Sequence, residues 1–152
     1  MSDQGRTNQL LYQALLLLKA PEGDDEHAEA RRMALEESAL AMLELALESM
    51  IREIAHTCRW PETPWREVLQ NPPARVAEIE HLRELLKDPE SWLSKLLFYI
   101  EKMHSAEGAA ERRRKSALIA SSQQASLGHV LFDCLDAFRA LLPRLRETSH
   151  EW

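Results

Sequence analysis

The sequence predicts an all-α protein, a single antiparallel helical bundle of about five to six helices, two of them long. Three observations predict this. Leu, Ala, Glu and Arg dominate the chain, and these residues favour helix. Gly occurs only 4 times and aromatics make up 6%, so material for strands is thin. Apolar residues recur at three-and-four spacing between turn-forming stretches, the period of one helix face. A hydrophobic fraction of 45% beside 29% charged residues supports a packed interior under a solvated surface. At 152 residues the chain fits one domain, residues 1–152, since single cores run to roughly 100–200 residues.

The first helix is expected from a cap at Ser2 or Asp3 to about Lys19, with Leu10, Leu11, Ala14, Leu15 and Leu18 on its apolar face. Ala20-Pro21-Glu22-Gly23 breaks it. Asp24 and Asp25 then offer N-cap chemistry for a long second helix, and Glu26 and Glu29 place negative charge near its positive end. Its seam is Met33, Leu40, Leu43, Leu47, Met50 and Ile54, on a seven-residue repeat reaching about Cys58. Trp60-Pro61 stops it. Thr63 as N-cap with Pro64 at the first position predicts a short third helix ending before Asn71-Pro72-Pro73.

A fourth segment carries Val76, Ile79, Leu82 and Leu86 on one face, and Asp88-Pro89 is expected to cap and open the fifth. The fifth buries Trp92, Leu93, Leu96, Leu97, Ile100 and Met103. From Ser105 to Lys115 the chain is polar, holds Gly108, and predicts a mobile connector. Ser121-x-x-Gln124 has the form of a capping box. The helix it would open presents Leu127, Val130, Leu131, Cys134, Phe138, Leu141, Leu142 and Leu145, with a bend or an early end expected at Pro143.

Composition also bounds function. A net charge of −6 argues against general attraction to a phosphate backbone. The one basic cluster, Arg112, Arg113, Arg114 and Lys115, reads as a solvated loop without aromatic residues interleaved in the sequence to stack bases. Cys58 and Cys134 each fall on an apolar stripe and read as small core residues in a reducing, cytoplasmic setting. The N-terminal segment has no charged region followed by a long apolar one, and Leu15 to Leu18 is far short of a membrane span.

Four histidines follow a glutamate by three positions: Glu53/His56, Glu78/His81, Glu101/His104 and Glu147/His150. Two such pairs, with further carboxylates, build the di-iron sites of ferritin-like bundles, so Glu53, His56, Glu101 and His104 are the alternative metal set. Helical phase weakens that reading, because Glu78 and His81 point away from Val76, Ile79 and Leu86, Glu53/His56 and Glu101/His104 flank their apolar seams, and Glu147/His150 fall at a fraying terminus. A second candidate is the Arg-x(4–6)-His spacing of HEPN ribonucleases, themselves small α-bundles. Arg75 with His81 and Arg144 with His150 fit it, histidine serving acid–base chemistry and arginine charge stabilisation. Val76 and Leu145 stand where that family usually has a polar residue after the arginine. Trp60, Trp65, Trp92 and Trp152 read as core or corner packing before a recognition surface.

Arg6-Thr7-Asn8-Gln9-Leu10-Leu11-Tyr12, the Ser91-Trp92-Leu93 start of the fifth helix, and Leu145-Arg146-Glu147 with Glu151-Trp152 resemble an uncharacterised family of short helical proteins from gammaproteobacteria. The resemblance implies one helical bacterial domain along the whole chain and carries no catalytic residue. With no convergent catalytic set and no cofactor implied, the expectation is a non-enzymatic module binding a protein partner or a second copy of itself. A metal-independent ribonuclease and a carboxylate/histidine metal bundle are the alternatives.

Overall fold

The computed structural model describes residues 1–113 and 126–148. Among them are six helices and no strand: α1 (Asp3–Lys19), α2 (Ala28–Thr57), α3 (Trp65–Gln70), α4 (Ala77–Lys87), α5 (Trp92–His104) and α6 (Leu127–Thr148). At 30 residues α2 is about 45 Å long. It is the axis of the assembly, in contact with α1, α3, α5 and α6.

Helical phase fixes what each element buries. On α1, Leu10, Leu11 and Ala14 are buried, and Leu15 and Leu18 pack against the core edge. The α2 seam from Leu40 to Ile54 is buried, while Met33 is partly so. Ile79 and Leu82 of α4, Leu93, Leu96 and Ile100 of α5, and Leu131, Cys134 and Phe138 of α6 complete one continuous core cluster. Trp65 is buried, Trp60 and Trp92 are partly buried, and the Trp92 ring lies 5.6 Å from Phe138. Trp152 lies outside the described residues. Thr7 of α1 touches Ser49 and Glu53, and Asp3 touches His56, so α1 and α2 run antiparallel.

Several boundaries differ from the sequence expectation, each for a local reason. Ser2 caps α1 as expected, accepting from Gly5 N–H at 3.0 Å. The second helix begins only after His27, because Asp25 spends its carboxylate on Arg31, at 2.9 Å. Pro64 is the N-cap of α3 and Thr63 bonds back to the Pro61 carbonyl. Asp88 closes α4 instead of opening α5; Ser91 caps α5, accepting from Ser94 N–H at 3.2 Å and donating to the Leu85 carbonyl at 2.6 Å. Before α6, Ser126 Oγ accepts from His129 N–H at 3.2 Å; Ser121 and Gln124 lie outside the described residues.

Pro143 does not end α6, which runs on to Thr148. Pro143 and Arg139 both lie on the solvent-exposed side of the helix, where a missing ladder bond is tolerated, while Leu141, Leu142 and Leu145 anchor the last turns by burial.

The end of α2 falls where Trp60-Pro61 places it, and its cap uses no glycine. Arg59 has φ +56°, Arg59 N–H donates to the His56 carbonyl at 3.1 Å, and Trp60 N–H to Ala55 at 2.8 Å. This is the bonding of a Schellman motif with arginine at the left-handed position.

Candidate functional site

At one end of the bundle, the last turn of α2, the start of α4 and the end of α6 enclose a cavity of about 360 Å³. Its walls are Ile54, Thr57, Cys58, Val76 and Ala77, with Thr148 at one side and two charged residues, Arg75 and Glu78. Glu78 sits in the first turn of α4, whose dipole favours negative charge there. Its side chain is nevertheless drawn inward, and the residue is only 8% exposed. It has no hydrogen-bond or ion-pair partner among the described residues. Burial and then the Glu78 charge push the Cys58 thiol above its usual range, so the carboxylate's field reaches the cavity wall. Arg75 is exposed at the mouth.

This corrects the expectation that Glu78 points to solvent. Leu82, one turn on, is fully buried and Leu85, two turns on, is partly so, so Glu78 lies at the edge of the core face, where the ends of α2 and α6 line the same cavity.

Beside the cavity, a polar cluster ties three helices together. Arg146 of α6 donates through Nε to Glu53 Oε1 at 3.1 Å and reaches Asn8 Oδ1 at 3.2 Å. Thr7 donates to Glu53 Oε2 at 2.8 Å and stands 2.7 Å from Ser49 Oγ. Thr7 and Ser49 are fully enclosed, so each hydroxyl needs its partner.

At the opposite end the polar connector is strapped down as far as Arg113, contrary to the expected loose loop. Glu37 Oε1 accepts from Ala109 N–H at 2.5 Å and Ala110 N–H at 2.9 Å, and both alanines are buried. Arg32, itself buried, donates to the Glu111 carbonyl at 2.6 Å and to Glu36 at 2.9 Å. Arg113 N–H donates to Glu29 at 2.7 Å. The connector docks through these backbone bonds and through the burial of its two alanines.

The alternative metal set is not brought together. Glu53 is held by Arg146 and Thr7, His56 lies 2.5 Å from Asp3, His104 lies 2.8 Å from Glu44, and Glu101 is exposed. Among the described residues no group of three or more His, Cys, Asp or Glu side chains is placed to hold a metal ion. Of the Arg/His spacings, Arg75 lines the cavity but His81 does not, and Arg144 is exposed. His150 lies outside the described residues. In the basic cluster, the Arg113 side chain is 3.6 Å from Glu22 and Arg112 is exposed; Arg114 and Lys115 lie outside the described residues. Phe98 lines the same groove as Arg112 and Arg113, with Lys102 5.6 Å from its ring, a juxtaposition the linear sequence hides. Cys134 is buried and Cys58 half-buried, both as free thiols.

The described residues define an all-helical protein in which several side-chain hydrogen bonds join helices far apart in the sequence. No helix among the described residues is long and apolar enough to cross a membrane. The chain belongs to the family described as a family of unknown function (DUF6586), whose model matches residues 1–152. No curated protein and no solved structure matches the chain.

Proposed function

We propose that the chain is a non-enzymatic helical module that binds a protein surface, in its simplest form a second copy of itself. The observation that supports this is an outward apolar set on the α1–α2 hairpin. Tyr12 and Leu16, one turn apart on α1, are 56% and 51% exposed, and Leu45 on α2 is 39% exposed. The contacts of Asp3 with His56 and Thr7 with Ser49 set a register that brings Leu45 close to the level of Tyr12. Large apolar side chains at helical spacing suit docking against another helix. The two free thiols suit a reducing compartment.

Light scattering from micromolar to millimolar protein tests the reading. Mass should rise above the monomer with concentration, and Leu16→Glu should hold it at the monomer without changing the melting temperature. A parent that stays monomeric across that range, or a Leu16→Glu variant that associates equally, overturns self-association.

A further inference from the structure

The cavity between the ends of α2 and α6 and the start of α4 offers more than a packing defect. It holds about 360 Å³, inside the range of small-ligand sites, which start at about 300 Å³. Its lining also has the make-up of such sites, mainly apolar walls with a few polar groups that set orientation. Ile54, Val76 and Ala77 form the apolar part, with the half-buried Cys58 beside them.

The polar part is a pair of opposite charges that do not satisfy each other. Glu78 is more than nine-tenths buried and without a partner among the described residues, and no ion pair joins it to Arg75. Water still reaches the Glu78 oxygens, but no donor of the described residues meets them, so with the dipole of α4 they leave an open acceptor for a cationic group on the cavity wall. Arg75, three positions earlier, offers at the mouth a planar donor set that matches a carboxylate. A ligand complementary to both has an ammonium group for Glu78, a carboxylate for Arg75 and an apolar body for the wall.

We infer that this cavity is a binding site for a free apolar α-amino acid, its ammonium on Glu78, its carboxylate on Arg75 and its side chain against Ile54, Val76 and Ala77. Binding there needs no covalent step and is separate from the surface that carries the proposed association, since Tyr12, Leu16 and Leu45 take no part in the cavity.

Isothermal titration of the full chain with L-leucine and L-phenylalanine tests the site, with 3-methylbutylamine and 4-methylpentanoate as probes lacking one charged group each. At least one amino acid should bind saturably, and each single-charge probe should bind at least tenfold more weakly. Glu78→Gln, nearly isosteric, should weaken the amino acid at least tenfold while keeping a cooperative melt, and Arg75→Gln should do the same. Absence of saturable binding by both amino acids overturns the site. So does a Glu78→Gln protein that titrates like the parent, or equal affinity for all the probes.

Discussion

Glu37 and Ala109 stand 72 positions apart in the chain and are joined by a hydrogen bond from Ala109 N–H to Glu37 Oε1 at 2.5 Å. The same oxygen accepts from Ala110 N–H, so one side chain of α2 satisfies two successive backbone donors of the connector. Gly108 makes the approach possible. Its φ is +75°, and a Cβ there would lie 2.8 Å from Glu37 Oε1.

Replacing Glu37 by Ala should therefore leave two amides near buried alanines without an acceptor, at a cost of about 2 kcal/mol. Gly108→Ala should act in the same direction through strain and collision. In both variants trypsin should cut after Arg112 and Arg113 sooner than in the parent. Cleavage rates matching the parent in both would mean that the strap is not held by this contact.

That strap separates what the sequence discloses from what it conceals. Burial on each helix follows from a period, so the seam Leu40, Leu43, Leu47, Met50 and Ile54 is legible in the order of residues alone. Partners across the bundle have no period. Glu53 reads as a flanking residue of α2 until α6 brings Arg146 against it from 93 positions away. Glu78 sits at the edge of its helix's apolar face, four positions before the buried Leu82, and at such an edge position the neighbouring helix ends decide burial. The start of α2 shifts because Asp25 has a better partner in Arg31 than in the helix terminus, and that of α3 because Thr63 bonds back to the Pro61 carbonyl.

Arg59 carries the only positive φ found on a non-glycine residue among those described. A side chain in that conformation costs roughly 1–2 kcal/mol, partly offset by the greater freedom that glycine has in the unfolded chain. Arg59→Gly should raise stability by about 1 kcal/mol, the strain relieved less that offset, seen as a higher urea midpoint with an unchanged slope. A lower midpoint would show that the arginine side chain contributes more than its backbone costs.

Acid should loosen the same end of the bundle that Glu37 holds. Glu29 is held down at about 2 by the Arg32 side chain, then by the Arg113 N–H, against an ordinary value of 4.5. A carboxylate depressed in the folded state adds stability above its unfolded value and loses it as pH falls through the folded one. The window is therefore from about pH 4.5 down to about 2. Urea midpoints of the parent and of Glu29→Gln should differ at about pH 6, above the window, and converge as pH falls through it. Profiles that stay parallel down to about pH 2 would mean the Glu29 contacts add nothing to folding.

The two thiols should react by different routes. Cys134 is buried and its thiol is pushed up to about 12, by burial first and then by the neighbouring charge of Asp133; its Sγ also donates to the Trp92 carbonyl at 3.5 Å. Only the thiolate attacks a disulfide reagent, so at about pH 8 this group should be silent until the chain unfolds globally. Cys58 is half-buried on the cavity wall, and its thiol is raised by burial and by Glu78. It should label slowly in the native protein without denaturant. Removing the charge with Glu78→Gln should lower the Cys58 value and speed that labelling several-fold, while leaving Cys134 unchanged. The measurement is the time course of a chromogenic disulfide reagent at about pH 8, with and without urea, on the parent, Cys58→Ser and Glu78→Gln. A single fast phase for both thiols in the native parent would contradict the burial of Cys134, and an unaltered Cys58 rate in Glu78→Gln would place the carboxylate too far away to act on the cavity.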